Sequence, residues 1–417
     1  MKMKIATLFA VTFAVSACAP QTGSNSVPSN GNAPVASNAS NSTPGAAKAA
    51  VPTDLQDLAR RIVTQSAGVK EGEIVHISGG VRNMELLENI DIEVEKAGGH
   101  SLLTVGSERM AKKYYAEVPE RYDNKEPKLG MALAKVVNVA ISVDTTETEG
   151  LLADVPKARI AAGAKAGQPV ATERIKNKVR SVEVGNGLYP TEWRAKQFEM
   201  PFDAFAKMFW EGVNIDYTTL QTTGETARAA LVGKELEITH PNGTSLKMTI
   251  DSRPAYISDG IISAEDVQKG NLSVFLPAGE AAVIPVANSG DGKFVIEKNF
   301  FEGKEITNLT LNFAGGKLTS MTGEGPGFAA LKANYDAFPE GKDILAFVDI
   351  GINSNMKLAP STKLGNWVSA GMVSVGTGNN TWAGGTANAV GGVDGHLAGA
   401  TVKIDGRVIV ENGVLKI

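Results

Sequence analysis

His76, His100, His240 and His396 are the only histidines of the 417-residue chain, and Cys18 is its only cysteine. One cysteine rules out an intramolecular disulfide framework, and four scattered histidines rule out a His-rich metal cluster. There is no His-Glu-x-x-His, no Walker loop and no dinucleotide Gly fingerprint. Met372-Val373-Ser374-Val375-Gly376 lacks the first glycine of a nucleophile elbow. What remains is carboxylate chemistry around His396. The other histidines carry bland readings: His76 lies inside an apolar strand, His100 follows Gly98-Gly99 in a helix-to-strand turn, and His240 adjoins a hairpin turn.

The elements that must position this chemistry fall into two groups. Leu55, Leu58, Ile62 and Val63 share one helical face behind a capping box of Thr53 and Gln56. A buried strand over 73–78 closes on Gly79-Gly80, a pair that could approach a phosphate. A helix over 84–97, a strand over 101–105, a helix over 129–135 and a strand over 136–143 follow. This alternation predicts a parallel sheet with flanking helices. A helical stretch over 191–234 carries Trp193, Phe198, Phe202, Phe205, Phe209 and Trp210 at packing spacing. Arg174, Lys176, Lys178 and Arg180 read as a solvated face.

The second group is antiparallel in character. Asn242-Gly243, Ala314-Gly315-Gly316 and Gly406-Arg407 each stand between two strand-like runs and predict hairpins. Residues 376–392 are Gly-rich. The expected organisation is an α/β domain over 53–234 and an α+β domain, rich in antiparallel strands, over 235–417.

The first residues read as an address. Two lysines within residues 1–4, an apolar run over 5–15 and Ser16-Ala17-Cys18 describe a secretory signal. The run is shorter than the roughly 20 residues of a membrane span. Val15-Ser16-Ala17-Cys18 resembles a bacterial lipobox, which implies lipidation at Cys18 and removal of residues before it. Ala19 in place of Asp implies, by analogy with Gram-negative lipoproteins, the outer membrane, facing the periplasm. Residues 19–52 are Ser, Asn, Pro, Ala and Gly almost throughout and read as a disordered tether. With 41 basic and 45 acidic residues, the chain has no broad basic field to suit a nucleic acid.

Residues 271–285, NLSVFLPAGEAAVIP, followed by Ser289-Gly290 and Phe301 to Lys304, resemble the aminopeptidase T/aminopeptidase S family of metallo-aminopeptidases. Gly187-Leu188-Tyr189-Pro190-Thr191, residues 345–353 and residues 402–413 are similar to further family segments, so the resemblance spans roughly 53–417. It implies an N-terminal α/β domain, a catalytic C-terminal domain with two neighbouring divalent metals, peptides with a free N-terminus as substrates, and a homodimer. Glu280 then matches the first metal glutamate and Asp349 a second acidic ligand, while His396 fits the histidine of a Ser-x-x-His-x-Asp signature. The pattern also departs from the family. Ser374 stands where a histidine ligand is expected, Asn366-Trp367 near the expected Asp-Glu pair, Thr381-Trp382 near a tyrosine ligand, and Ala398 at an aspartate. Asp394 is the candidate substitute, as helper or general base.

The resemblance leaves two principal functions and a third. The first is a lipid-anchored metallo-aminopeptidase holding zinc, cobalt or manganese on Glu280, Asp349 and His396, as one ion or none. The second is an inactive descendant, a peptide-binding or scaffolding lipoprotein. The third is a one-metal enzyme of another class, because the family fold also resembles an iron-dependent dihydroxypyridine dioxygenase.

Overall fold

The computed structural model describes residues 53–359, 361–389 and 391–417. Cys18, the signal segment and the tether therefore lie outside the described residues. No helix among the described residues is long and apolar enough to cross a membrane.

The N-terminal half folds as the alternation predicts. Strands His100–Gly106, Ile74–Gly80, Val139–Val143, Arg180–Val184 and Ser273–Leu276 lie in that order in one parallel sheet. Leu103, Ile77, Ile141, Val182 and Val274 register with one another and form one apolar row across the sheet. Helix Met84–Lys96 brings Leu86, Leu87, Ile90 and Val94 into the same core, and Leu55, Leu58, Ile62 and Val63 join it from the first helix. The cap of that first helix is Asp54 rather than Thr53. Its carboxylate accepts from the N–H groups of Gln56 and Asp57, each at 3.0 Å, and a charged acceptor at the positive helix end outcompetes a hydroxyl one residue further out.

Other details differ from the sequence expectations. The helix expected over 129–135 runs Lys128–Val136, and its strand begins only at Val139. The basic cluster is not simply solvated, because Arg180 pairs with Glu73 at 2.6 Å and the half-buried Arg174 reaches His76 at 3.5 Å. The stretch expected to be helical over 191–234 contains three helices, Glu192–Gln197, Phe202–Val213 and Tyr217–Ala230. Phe205, Phe209 and Trp210 are buried in the core, as their spacing predicts.

The C-terminal half contains two antiparallel sheets. The larger holds eight strands, including all three predicted hairpins. Its closing hairpin turns at Asp405-Gly406, one residue before the expected Gly406-Arg407. Both turn residues have positive φ, 48° and 79°, as a two-residue loop matching strand twist requires. The smaller sheet holds, in order, Asp394–Leu397, Val373–Thr377, Leu345–Gly351, Glu280–Val283 and Tyr256–Ser258. Leu345–Gly351 is buried along its whole length. The segment that precedes Glu280 ties the halves together: Ser273–Leu276 pairs with Arg180–Val184 in the parallel sheet, and Glu280–Val283 enters the smaller sheet four residues later.

Candidate functional site on the smaller sheet

The local sequence explains how Glu280 reaches its place. Gly279 has φ 130°, and a Cβ there would lie 2.6 Å from Cβ of Asn353. Only glycine permits that approach without strain. Asn353 is fully buried and donates to the carbonyls of Ala278 at 2.6 Å and Gly212 at 3.0 Å. This fixes the start of the Glu280 strand against both the Leu345–Gly351 strand and a helix of the N-terminal half.

Register places the remaining candidates. Tyr256, Ala282, Asp349, Ser374 and His396 are successive cross-strand partners. Directly paired residues project from the same face of a sheet, so these five form one polar and aromatic row. Glu280 is two residues before Ala282 and shares that face. Phe347, Gly376 and Asp394 form the next row on the same face. The four predicted residues Glu280, Asp349, Asp394 and His396 thus share one side of one sheet.

They do not share one coordination sphere. Ser374 occupies the strand between Asp349 and His396, which places their backbones about 10 Å apart at ordinary strand spacing. The Ser374 hydroxyl is hydrogen-bonded to Nδ1 of His396 at 2.8 Å. Trp367 packs edge-on against the imidazole, with centroids 4.3 Å apart. Asp394 is exposed at the first position of its strand. Among the described residues no group of three or more His, Cys, Asp or Glu side chains could hold a metal ion.

The electrostatics are dominated by two acids. Asp349 is 1% exposed; the backbone N–H groups of Ile350 and Ala281 face its carboxylate, but neither oxygen receives a hydrogen bond of full geometry. Burial, reinforced by the charge of Glu280, holds its carboxyl well above the usual carboxylate range. Burial likewise pushes Glu280 up to about 7, against the opposing effect of a hydrogen bond from Asn186. His396 moves the other way, down to about 4, because burial disfavours the imidazolium. The imidazole is neutral at pH 7, with one nitrogen committed to Ser374.

A two-ion centre does not fit this donor set. Two closely spaced dications need several carboxylates and imidazoles around them. Here one histidine position holds a serine hydroxyl, a weak neutral donor already engaged with His396. The orphaned oxygens of Asp349 do call for positive charge, but Glu280 and Asp349 provide at most two anionic groups.

Sequence reasoning missed the aromatic surroundings. Tyr256 meets Trp382 at 5.2 Å, Trp382 meets Phe347 at 5.2 Å, and Phe347 meets Trp367 at 6.0 Å. Gly376 makes room for this arc, since a Cβ there would fall 2.2 Å from the Phe347 ring. Trp367 and Trp382 were visible only as the places where expected acidic and tyrosine ligands are absent. Asn186, contributed by the N-terminal half, had no local signal at all.

The fold resembles that of the wild-type AmpT from Thermus thermophilus, with a TM-score of 0.64 and 14% identity over 87% of this chain and 99% of that one. It also resembles the 2,5-dihydroxypyridine dioxygenase from Pseudomonas putida, with a TM-score of 0.53 and 12% identity over 87% of this chain and 96% of that one. At such identities these likenesses establish the fold. No curated protein matches the sequence. The model of the family described as thermophilic metalloprotease (M29) matches residues 52–334, a span that includes Glu280 and ends before Asp349, Ser374 and His396. With that match over more than half of its length, the chain belongs to the thermophilic metalloprotease family M29.

Proposed function

We propose that the protein is an aminopeptidase-like lipoprotein of the bacterial outer membrane, anchored through Cys18 and facing the periplasm, that binds peptides by their free N-terminus. Binding, rather than two-metal hydrolysis, is its activity. The observation that carries this reading is Ser374: it stands between Asp349 and His396 and is hydrogen-bonded to the imidazole. Family membership supports the peptide ligand, and the position of Glu280, Asp349 and His396 on one face supports the location. A homodimer on the membrane is compatible with the long tether.

A second reading is hydrolysis of the N-terminal residue with a single zinc, cobalt or manganese ion. The partnerless, buried oxygens of Asp349 favour it. Glu280 and Asp349 would be its anionic ligands, and His396 and Asp394, one strand further along the sheet, would have to move toward the ion to serve as nitrogen ligand and base.

Metal content and turnover separate the two. The detergent-solubilised full chain, dialysed with and without each ion, is assayed by elemental mass spectrometry and by release of N-terminal residues from peptides. The binding reading predicts less than one retained ion per chain and no release, with peptide binding seen calorimetrically. Metal-dependent release that disappears in Glu280→Gln and His396→Ala would establish the hydrolytic reading instead.

A further inference from the structure

We propose that Arg174, His76, Thr104 and the paired serines Ser78 and Ser142 form a binding site for a small oxyanion, a phosphate or a carboxylate, on the polar face of the parallel sheet in the N-terminal half. The site is separate from the acidic row of the smaller sheet and does not depend on the peptide-binding reading.

The two faces of this sheet are unlike. Leu103, Ile77, Ile141, Val182 and Val274 make one face apolar. On the other face Thr104, Ser78, Ser142 and Glu183 are successive cross-strand partners, and His76 lies in the row beside them. A parallel sheet covered by helices is ordinarily apolar on both faces, so a run of hydroxyls across one of them calls for polar company that packing does not supply. The covering layer also leaves this face open. Helix Lys157–Lys176 buries only Arg159, and Lys128–Val136 buries only Ala134. His76, Ser78, Ser142 and Arg174 are half-buried and Thr104 is exposed, so solvent reaches the row. A Cβ added at Gly167, two turns before Arg174 on the same side of its helix, would meet nothing within 4 Å.

Arg174 supplies the charge. Its Nη2 lies 3.5 Å from Nδ1 of His76, its Nε is buried with no hydrogen-bond partner, and among the described residues it makes no ion pair. Burial alone moves its pKa, downward, and no acid opposes the shift. Arg159, Arg180 and Arg194, elsewhere in this half, each have a carboxylate: Asp123 at 2.6 Å, Glu73 at 2.6 Å and Asp144 at 3.1 Å. A partly desolvated guanidinium without an acid is matched by an oxyanion, which its planar fork binds through two parallel N–H bonds. With that guanidinium facing Nδ1, the ring proton of His76 belongs on Nε2, which donates to the Thr104 hydroxyl at 2.9 Å. Burial and then Arg174 hold this imidazole below its ordinary pKa, and an anion seated between the two would offset the second effect. Ser78 lies two residues further along the strand, about 7 Å away. It pairs with Ser142 across the point where the strand order reverses, the place where open α/β sheets take ligands. The two hydroxyls meet the body of a ligand whose charged end is on Arg174. The acids beyond them present little free charge: burial and then Asp144 push Glu183 up to about 7, and Asp144 is paired with Arg194.

The test titrates the full chain in detergent, at constant ionic strength, with sodium phosphate, sodium succinate and sodium chloride. Heat is read by calorimetry, and the four histidine rings are read by NMR of the isotope-labelled protein. The site predicts saturable binding of phosphate or of succinate and no saturation with chloride. The His76 ring signal, assigned by its loss in His76→Gln, should move toward the imidazolium form as the oxyanion binds. Arg174→Gln should weaken that binding at least roughly tenfold without lowering the thermal transition, since it breaks no ion pair, and Arg174→Lys should retain part of the affinity. Preference for phosphate identifies a phosphate ligand, and preference for succinate a carboxylate one. Saturation by neither, or an affinity unchanged in Arg174→Gln, would overturn the site. Binding that leaves the His76 signal unmoved would overturn its placement on this face, and chloride saturating as the oxyanions do would reduce it to simple screening.

Discussion

Two buried aspartates in this molecule are treated in opposite ways. Asp144, at the carboxyl end of a strand in the parallel sheet, has Arg194 at 3.1 Å, and the two side chains are 10% and 9% exposed. It also accepts from the backbone N–H of Thr146 at 2.7 Å. Asp349, in the centre of the smaller antiparallel sheet, is deeper at 1% exposure, and its charged neighbour is another acid, Glu280, rather than a cation. A buried charge with a fitted partner belongs to the framework, because breaking the pair costs more than forming it gains. An unpartnered one is a standing cost to folding. In a strand that is otherwise fully apolar, burial and the charge of Glu280 favour the protonated, neutral form of Asp349.

The largest expected effect tests the framework side. Arg194→Ala leaves Asp144 buried beside Glu183, whose carboxyl is already pushed up to about 7 by burial and then by Asp144. The loss in urea unfolding free energy should be about 3–5 kcal/mol. A loss within experimental error would mean that Asp144 is no better supported than Asp349, and the contrast would collapse.

The converse change should stabilise. Asp349→Asn replaces a buried acid whose charged form the fold disfavours with a neutral amide and should raise stability by ~1–3 kcal/mol under alkaline conditions. The pH dependence sharpens this. Asp349 and Glu280 both have folded-state pKa values raised above their ordinary ones. In the native state each keeps a proton that the unfolded chain has released. Their contribution is therefore whole below the unfolded pKa and is lost as pH rises through the folded value, near 7 for Glu280. The urea midpoint of the wild-type chain should fall between pH 5 and pH 8, and the fall should shrink in Asp349→Asn. A midpoint that rises over this range would show that the acids are compensated within the fold.

The smallest effect concerns Ser374. Ser374→Ala removes the hydroxyl that meets Nδ1 of His396 at 2.8 Å and leaves that nitrogen without its partner. The cost should be about 1 kcal/mol in the same unfolding experiment. A much larger loss would mean that the serine supports the row structurally beyond this one bond.

Much of the architecture was written locally. The parallel alternation, the three hairpins and the helix over Met84–Lys96 each arise from patterns within about 15 residues, where periodicity and turn chemistry act directly. The misses were short-range competitions: Asp54 over Thr53 at a cap, and Asp405-Gly406 over Gly406-Arg407 at a turn. The arginine cluster shows a different limit. Arg180 finds Glu73 and two backbone carbonyls across the fold, and no local rule announces a partner more than a hundred residues away.

The candidate site divides along the same line. Glu280 entered through the resemblance of residues 271–285, and only the structure showed that Gly279 delivers it by close packing against Asn353. Asp349 was likewise found only through resemblance, whereas His396 was singled out by elimination and given a ligand role through resemblance. What the residues themselves determined is that this chain has too few histidines for a rich metal centre, and which acids survive. Only the tertiary structure decided that Ser374 separates Asp349 from His396, that Asn186 of the other half reaches Glu280, and that Tyr256, Phe347, Trp367 and Trp382 close into one arc. The reason is physical: strand register and loop crossings bring together side chains up to 140 positions apart, and burial then sets their charge.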